Sequence, residues 1–258
     1  MPDLSIIIVS WNVKNYLEKC LASIFRNQLG SNLEVIVVDN ASTDGTTEMV
    51  KNNFTQVKLI TNETNLGFAT ANNQGILASR SDFILALNPD TEILNDALQK
   101  SLEFMKKNAQ IGILGCKHLN PDWTLQPSVR RLPNFWAIFF IITKLAKIFP
   151  DMPPIYDYLA KDFDYKLAQP AEQVAGSFFL LRKKTIDEIG LFDENFFTWF
   201  EEVDMCKRAK DAGWQVWYYP EAQIVHHGGQ SFIQELTWKK QNVFFASAFY
   251  YFKKHGFK

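Results

Sequence analysis

The feature that most constrains the fold is an uninterrupted apolar run near the start of the chain. Residues 4–10 read LSIIIVS, and a strand that is apolar on both faces is typical of a parallel sheet covered by helices on both sides. Parallel strands are joined by crossovers, which are usually helices. The run therefore predicts an α/β fold.

Three further strands follow, and each is preceded by a segment in which apolar residues recur at helical spacing. These strands are predicted at Glu34–Val38, Val57–Thr61 and Phe83–Leu87. The alternation gives right-handed βαβ units and a mostly parallel, Rossmann-like sheet flanked by helices. Ligands of such sheets bind at the carboxyl ends of the strands, so the polar segments after the strands form the candidate site.

The alternation stops after a strand predicted at Ile111–Cys116. Residues 120–172 contain most of the ten prolines and indicate an insertion, because strand-like and helix-like segments resume at Gln173. The stretch Leu236–His255 has neither glycine nor proline and predicts one long amphipathic helix.

Charge and cysteine content exclude several classes of protein. The formal net charge is −1, so no global field recruits nucleic acid. The three cysteines are far apart and lack the spacing of a zinc site or a disulfide framework. The first residues do not read as a signal peptide, and the longest apolar stretch, Phe135–Ile142, is far shorter than the ~20 residues of a membrane span. We therefore expect a cytoplasmic protein with buried, reduced thiols.

The segment NLGFATANNQG, residues 65–75, places a glycine between a strand and a helix. Gly67 would let the backbone approach a ligand closely, and the helix amino terminus would offer free N–H groups to an anion. A well-capped helix without a ligand explains the same residues. The segment also lacks the GxGxxG spacing of a dinucleotide site.

The segment LNPDTE, residues 87–92, puts Asp90 just beyond a buried strand, in a turn made rigid by Pro89. One carboxylate in this position suits Mg²⁺ or Mn²⁺, which keep many ligands from water and phosphate oxygens. The alternative is a turn in which Asp90 caps a following helix.

Two histidines precede a diglycine in IVHHGGQS, residues 224–231. A neutral imidazole is a good ligand for a divalent metal, so His226 is a candidate ligand in a chain that already offers Asp90. A purely structural role for this histidine is the alternative.

The segment VDNASTDG, residues 38–45, places Asp39 at the end of the second strand. A carboxylate there can accept the imide N–H of a pyrimidine base or a ribose hydroxyl. The same residues could instead build an Asx turn and a helix cap.

Three acids, Glu201, Glu202 and Asp204, directly follow the aromatic segment Phe196–Phe200. Acids are favoured at a helix amino terminus and pair with basic residues one turn later, which explains Asp204. An aromatic wall also raises the pKa of a carboxyl group by desolvation and offers a stacking platform for a sugar ring. Both properties suit a general base that acts on a sugar hydroxyl.

Taken together, the chain resembles the family 2 inverting glycosyltransferases of the GT-A fold, most closely the rhamnosyltransferase-like branch. The resemblance extends over roughly residues 4–231 and rests, in order, on SIIIVSWN, VVDNASTDGT, NLGFATANNQG, LNPDTE, VAGSFFLLRK, GLFDENFFTWFEEVDMCKRAKDAGW and VHHGGQS. It implies a nucleotide-diphosphate sugar donor, a divalent metal at the diphosphate and inversion at the anomeric carbon.

The resemblance also implies a domain organisation. A single GT-A domain is expected over residues 1–231, followed by a helical extension over 232–258. Within the domain, residues 1–118 form the nucleotide-sugar-binding half, 119–172 the insertion, and 173–231 a mixed acceptor and catalytic half.

Site residues are implied position by position. Asn88 and Asp90 occupy the DxD position of the family, with asparagine in place of the first acid, so Asp90 and His226 are the expected ligands of Mg²⁺ or Mn²⁺. Glu202 stands where the family commonly has the aspartate of a Glu-Asp pair and is the expected base. The implied donor residues are Ser10, Trp11, Asn12, Asp39, Asn65, Gly67, Asn72, Asn73, Asn88 and Asp90, and the implied acceptor residues are Ala175, Gly176, Ser177, Trp199 and Glu201.

The implied reaction is transfer of rhamnose from dTDP-rhamnose to a saccharide or lipid-linked saccharide in cell-surface polysaccharide synthesis, with UDP-sugars as the next donors. Aromatic and basic residues in Phe135–Phe149 and in the last helix suit peripheral contact with the inner face of the cell membrane. Core packing or a homodimer interface explains them equally well.

Two other functional classes stay open. One is a nucleotidyltransferase, although the basic glycine-rich loop of that class is missing near the amino terminus. The other is a catalytically silent nucleotide-sugar-binding protein.

Overall fold

The computed structural model describes residues 1–26, 32–229 and 237–256. The α/β fold predicted from the opening strand and the alternation after it is confirmed. The first part of the chain contains β1 (Leu4–Ser10), α1 (Lys14–Arg26), β2 (Leu33–Asp39), α2 (Thr46–Asn53), β3 (Lys58–Thr61), α3 (Phe68–Ala78) and β4 (Phe83–Leu87).

The remainder of the chain departs from simple alternation. Asp90 is followed by a strand, so the alternative in which it caps the next helix is wrong. The elements are β5 (Thr91–Ile93), α4 (Ala97–Lys107), β6 (Ile111–Leu119), β7 (Leu125–Gln126), β8 (Val129–Arg130), α5 (Phe135–Ile142), α6 (Leu145–Ile148), α7 (Pro153–Tyr158), β9 (Gln169–Pro170), β10 (Gln173–Val174), β11 (Phe178–Arg182), α8 (Lys183–Ile189), α9 (Glu201–Asp211), β12 (Gln215–His226) and α10 (Thr237–His255).

The strand order of the main sheet brings the candidate segments together. Its strands follow the order β3-β2-β1-β4-β11-β6-β12-β5. Neighbours among β1 to β4 are parallel, whereas β11 runs antiparallel between β4 and β6. Phe178, which begins β11, pairs with Leu87, which ends β4. The residues before β11 therefore lie at the edge where the parallel strands end.

The strand β12 continues past Pro220 to His226. The register of β12 on β6 shifts between Tyr219 and Gln223, and such an irregularity accommodates a residue that has no N–H donor. The last part of β12 pairs with β5 and places His226 opposite Thr91. This pairing brings His226 close to Asp90.

Helices cover both faces of the sheet, and β1 divides the core between them. Ile6 and Ile8 pack in one apolar cluster with residues of α1 and α4, whereas Ile7 packs in another with residues of α3 and α9. The alternation follows from the two-residue repeat of a strand. The cysteines are free and buried in these layers, as predicted.

The proline-rich segment is partly incorporated into sheets. β7, β8 and β9 pair with β6, β10 and β12 respectively, and α5 packs with α10 and the segment before α9 in a third apolar cluster. The division of the chain at residues 118 and 172 stays a prediction. The boundary at 231 and the expected helix start at Leu236 lie outside the described residues.

No helix in residues 1–26, 32–229 and 237–256 is long and apolar enough to cross a membrane. The last helix instead packs on the domain through an ionic cluster around Asp204. The buried Asp204 carboxylate accepts hydrogen bonds from Arg208 Nε, Lys254 Nζ and His255 Nε2, each at 2.7 Å. The ammonium group of Lys254 also lies 2.6 Å from Asp193 Oδ2. Asp204 thus joins α9 to α10.

Replacing Asp204 with asparagine is expected to destabilise the fold by about 3 kcal/mol, because three basic groups lose the buried carboxylate that neutralises them. Chemical denaturation would measure this loss. Asp211→Asn is the matched control, since Asp211 lies on the same helix and pairs with Lys207 at the surface. Its expected cost is within about 0.5 kcal/mol, and equal costs for the two variants would contradict the anchoring role.

Candidate active site

A cavity of about 340 Å³ opens at the edge of the sheet where β1 and β4 end. It contains every acceptor residue and metal ligand expected from the sequence and about half of the expected donor residues. Those that line it are Trp11, Asn65, Gly67, Asn88, Asp90, Ala175, Gly176, Ser177, Trp199, Glu201, Glu202 and His226.

Ser10 and Asp39 lie behind the cavity wall, as a pair on adjacent strands. Asp39 Oδ2 accepts a hydrogen bond from Ser42 N at 2.9 Å, which is the turn-building role considered above. Asp39 Oδ1 and Ser10 Oγ are buried without a hydrogen-bond partner. A buried polar atom in this state costs free energy unless a ligand group completes it, so base or ribose contact stays a prediction for both residues.

Three other residues expected to bind the donor are engaged by the protein itself. Asn12 Oδ1 accepts from Thr43 N at 2.7 Å, and the Asn72 amide donates to Phe68 O at 3.0 Å. Asn73 exchanges hydrogen bonds with both backbone groups of Phe192. Asn12, Asn72 and Asn73 do not line the cavity. Asn12 lies in the loop after β1, and Asn72 and Asn73 lie in α3.

Gly67 is required by a contact within the protein. Its φ of +86° lies in the left-handed region, and a Cβ atom there would lie 2.5 Å from Phe197 O. Phe68 N donates to the same carbonyl at 2.7 Å. One of the N–H groups expected to be free for an anion is therefore used to hold the aromatic segment before α9.

The aromatic segment ends in two consecutive left-handed residues. Trp199 and Phe200 have φ values of 63° and 69°, and Thr198 O accepts a hydrogen bond from Ser247 Oγ of α10 at 2.9 Å. This turn starts α9 abruptly at Glu201. Both Glu201 and Glu202 consequently line the cavity.

The two glutamates differ in their electrostatic surroundings. Burial raises the pKa of both carboxyl groups, and the charge of Glu202 raises the pKa of Glu201 further. Backbone N–H groups of residues 202 and 203 and the charge of Arg130 oppose the shift of Glu202. Two adjacent buried carboxyl groups do not ionise together readily, and the groups that oppose the shift of Glu202 make it the member of the pair that ionises more readily.

Asp90 and His226 lie next to each other at the cavity wall, where both side chains can act as metal ligands. Gln126 Oε1 lies 2.7 Å from His226 Nδ1, and because this oxygen can only accept, it selects the tautomer with the proton on Nδ1. The lone pair of His226 Nε2 is then directed to the cavity, 3.4 Å from Asp90 Oδ1. This nitrogen is buried without a hydrogen-bond partner, so a divalent cation fits between the two residues.

The described residues contain no group of three or more histidine, cysteine or acidic side chains that could hold a metal. A cation bound to Asp90 and His226 would take its other ligands from water or from the donor phosphates. Asn88, which replaces an acid in the expected pattern, is held through its backbone N–H by Ser177 O at 3.1 Å.

Sequence reasoning missed two residues that orient site side chains. Gln126 fixes the His226 ring from a position one hundred residues away in the chain, and the buried His118 lies 3.2 Å from Ser177 Oγ through Nε2. Neither residue belongs to a recognisable short segment. The strand pairing of β6, β7 and β12 brings them to the site, and only the fold reveals it.

Known proteins resemble this chain along most of its length. The sequence model of Glycosyl transferase family 2 matches residues 5–190. The N-acetylglucosaminyl-diphospho-decaprenol L-rhamnosyltransferase of Mycobacterium tuberculosis is 28% identical over 88% of this chain and 77% of its own length. The low-salt glycan biosynthesis hexosyltransferase Agl10 of Haloferax volcanii is 25% identical over 81% of this chain and 62% of its own.

Solved structures confirm the expected fold. GalNAc-T7 with UDP, GalNAc and Mn²⁺ superposes with a TM-score of 0.64 at 16% identity, covering 88% of this chain. TarS of S. aureus gives a TM-score of 0.60 at 17% identity, covering 90% of this chain. This chain spans 44% of the GalNAc-T7 chain and 38% of the TarS chain. At these identities the likeness concerns the fold alone.

Glu201→Gln is expected to stabilise the protein at neutral pH. A carboxyl group whose pKa is raised by folding lowers stability as the pH rises above its unfolded value of about 4.3, because the unfolded state releases the proton first. Glutamine keeps the shape of the neutral acid, so the variant should lose less stability than the wild type between about pH 5 and pH 8.

Urea denaturation across that range would measure the difference, with Glu103→Gln as the control because Glu103 is an exposed acid on α4. If Glu201→Gln lost stability with rising pH as steeply as the wild type, a raised pKa for Glu201 would be contradicted.

Proposed function

Because the chain belongs to glycosyl transferase family 2, we propose that it transfers a sugar with inversion from a nucleotide-diphosphate donor to a hydroxyl group of a saccharide or lipid-linked saccharide. Rhamnose from dTDP-rhamnose is the proposed donor, and the pathway is cell-surface polysaccharide synthesis. The observation that carries the proposal is the buried Glu202 carboxylate in the cavity that also contains Asp90 and His226. The rhamnosyltransferase relative supports the choice of sugar.

The proposed reaction is a single displacement. Glu202 Oε2, which is buried without a hydrogen-bond partner, takes the proton of the acceptor hydroxyl. The acceptor oxygen forms a bond to the anomeric carbon while the bond from that carbon to the diphosphate oxygen breaks on the opposite face. The products are the inverted glycoside, a protonated Glu202 and a nucleoside diphosphate.

Asp90 and His226 are proposed to hold Mg²⁺ or Mn²⁺, which when bound neutralises charge on the diphosphate. The protein positions both ligands rigidly: β5 and β12 pair next to them, and Gln126 orients the imidazole. A hydrogen-bond partner that orients a metal-binding histidine commonly contributes strongly to metal affinity. Asp39, Ser10 and Trp11 are proposed to contact the nucleoside, and Gly176, Ser177 and Trp199 the acceptor.

Peripheral contact with the inner face of the cell membrane is proposed from an exposed aromatic surface on α5 and α10. Trp136 is 58% exposed and Phe249 is 65% exposed, and ring contacts join Phe135 to both Phe139 and Phe252. Lys144 and Lys147 lie exposed at the end of this surface. Aromatic side chains beside lysines suit an anionic lipid surface.

The function is tested with a panel of nucleotide sugars in the presence and absence of Mn²⁺ or Mg²⁺. We expect slow, metal-dependent hydrolysis of one donor, with dTDP-rhamnose ahead of UDP-sugars. Glu202→Gln should lower kcat by about 10² or more, with the donor KM nearly unchanged. Glu201→Gln is the matched variant, and its loss should be much smaller because Glu201 is already neutral.

Equal losses in the two glutamine variants would contradict the assignment of Glu202 as the base. Unchanged turnover without divalent metal would remove Asp90 and His226 from their proposed role. Absence of hydrolysis and transfer with every donor would favour a catalytically silent nucleotide-sugar-binding protein.

Membrane contact is tested by sedimentation with vesicles that contain anionic lipid. The wild type should pellet with the vesicles, and the double variant Trp136→Ser and Phe249→Ser should stay largely in the supernatant. Trp123→Ser is the control, because Trp123 is 65% exposed in the turn between β6 and β7. A wild type that remains in the supernatant would contradict membrane contact. A double variant that becomes monomeric while the wild type is dimeric would instead support a homodimer interface.

A further inference from the structure

A second cavity of about 210 Å³ adjoins the first along a wall formed by Ala175, Trp199 and Glu202. Neither Asp90 nor His226 lines it, so it is separate from the proposed metal site. Glu202 is therefore accessible from two spaces, of which only one contains the expected metal ligands.

Arg130 gives the second cavity a positive charge. This residue ends β8 and is partly buried. Within residues 1–26, 32–229 and 237–256 its guanidinium makes no ion pair or hydrogen bond. The adjacent Arg131 contrasts with it, since its guanidinium contacts both Asp157 and Asp162. An unpaired guanidinium in a cavity is well suited to bind an oxyanion through its planar donors.

The remaining walls suit a sugar ring. Phe200 and Phe244 supply apolar faces, and Tyr158 and Gln173 supply polar side chains at the wall. Sugar rings bind between aromatic faces with a few polar groups that fix their orientation. The cavity thus combines a surface for a saccharide, one cation and access to the carboxylate of Glu202.

We propose that the acceptor extends from the first cavity past Glu202 into the second, where Arg130 binds a phosphate group attached to the acceptor sugar. The inference rests on the proposed function and adds an acceptor class to it. The charge of Arg130 lowers the pKa of Glu202 and would also offset the repulsion between that carboxylate and an anionic acceptor. Arg130 is thus a specificity-determining residue for phosphate-linked acceptors.

The test compares two acceptors that carry the same saccharide, one linked through farnesyl diphosphate and one as an uncharged farnesyl glycoside. N-acetylglucosamine is the saccharide used in both probes. The wild type should prefer the charged probe, and Arg130→Gln should lower kcat/KM for it by roughly tenfold or more, mainly through KM. The same variant should lower kcat/KM for the neutral probe much less, and there through kcat, because the charge of Arg130 also lowers the pKa of Glu202. Arg130→Lys should lie between the wild type and Arg130→Gln for the charged probe.

Arg80→Gln is the control, because it removes the same charge at an exposed site paired with Glu34. Isothermal titration of both probes provides a readout that does not need turnover, and donor hydrolysis without acceptor tests the proposed function separately. A wild type without preference for the charged probe, or a preference that survives in Arg130→Gln, would overturn the inference. A preference for a uronic acid glycoside over the diphosphate probe would overturn the assignment to phosphate.

Discussion

The active site depends on the burial of two adjacent carboxyl groups in the first turn of α9. Trp199 and Phe200 reach this turn through left-handed backbone conformations, which cost of the order of 1–3 kcal/mol each for bulky residues. Packing of Phe200 against Phe244 and Tyr251 of α10 offsets this strain. The turn places Glu201 and Glu202 in the cavity wall, where burial raises the pKa of both carboxyl groups and the charge of Glu202 raises that of Glu201 further.

The rest of the architecture supports this arrangement from three directions. Gly67 and Phe68 hold the aromatic segment by its carbonyl at residue 197, and Asp204 anchors α10 behind α9. The antiparallel strand β11 starts at the edge where β4 ends and so brings Gly176 within van der Waals distance of Glu202, since a Cβ atom on Gly176 would lie 3.6 Å from the Glu202 side chain. These contacts hold α10 and the aromatic segment against α9.

The amino-terminal strands and the family were predictable because strands buried on both faces leave unmistakable apolar runs, and because short segments such as LNPDTE stand at strand ends. The pairing of β12 with β5 was not predictable, since Pro220 interrupts the strand pattern. The tautomer of His226 depends on Gln126, and the pKa of Glu202 depends in part on the charge of Arg130. Both partners are distant in sequence from the residue they act on. The family resemblance implied donor contact for Asn12, Asn72 and Asn73, and it could not show that their side chains also bond to the protein backbone, because those partners depend on the fold.

The central claim is that Glu202 acts as a base on the acceptor and forms no bond to the sugar. Proton NMR of the first product formed from a donor of known anomeric configuration tests this claim most directly, provided that spectra are recorded before the product equilibrates. Deprotonation by Glu202 with a single displacement predicts a product of inverted configuration. A product with retained configuration would require a glycosyl intermediate or a front-face reaction, and it would contradict the account.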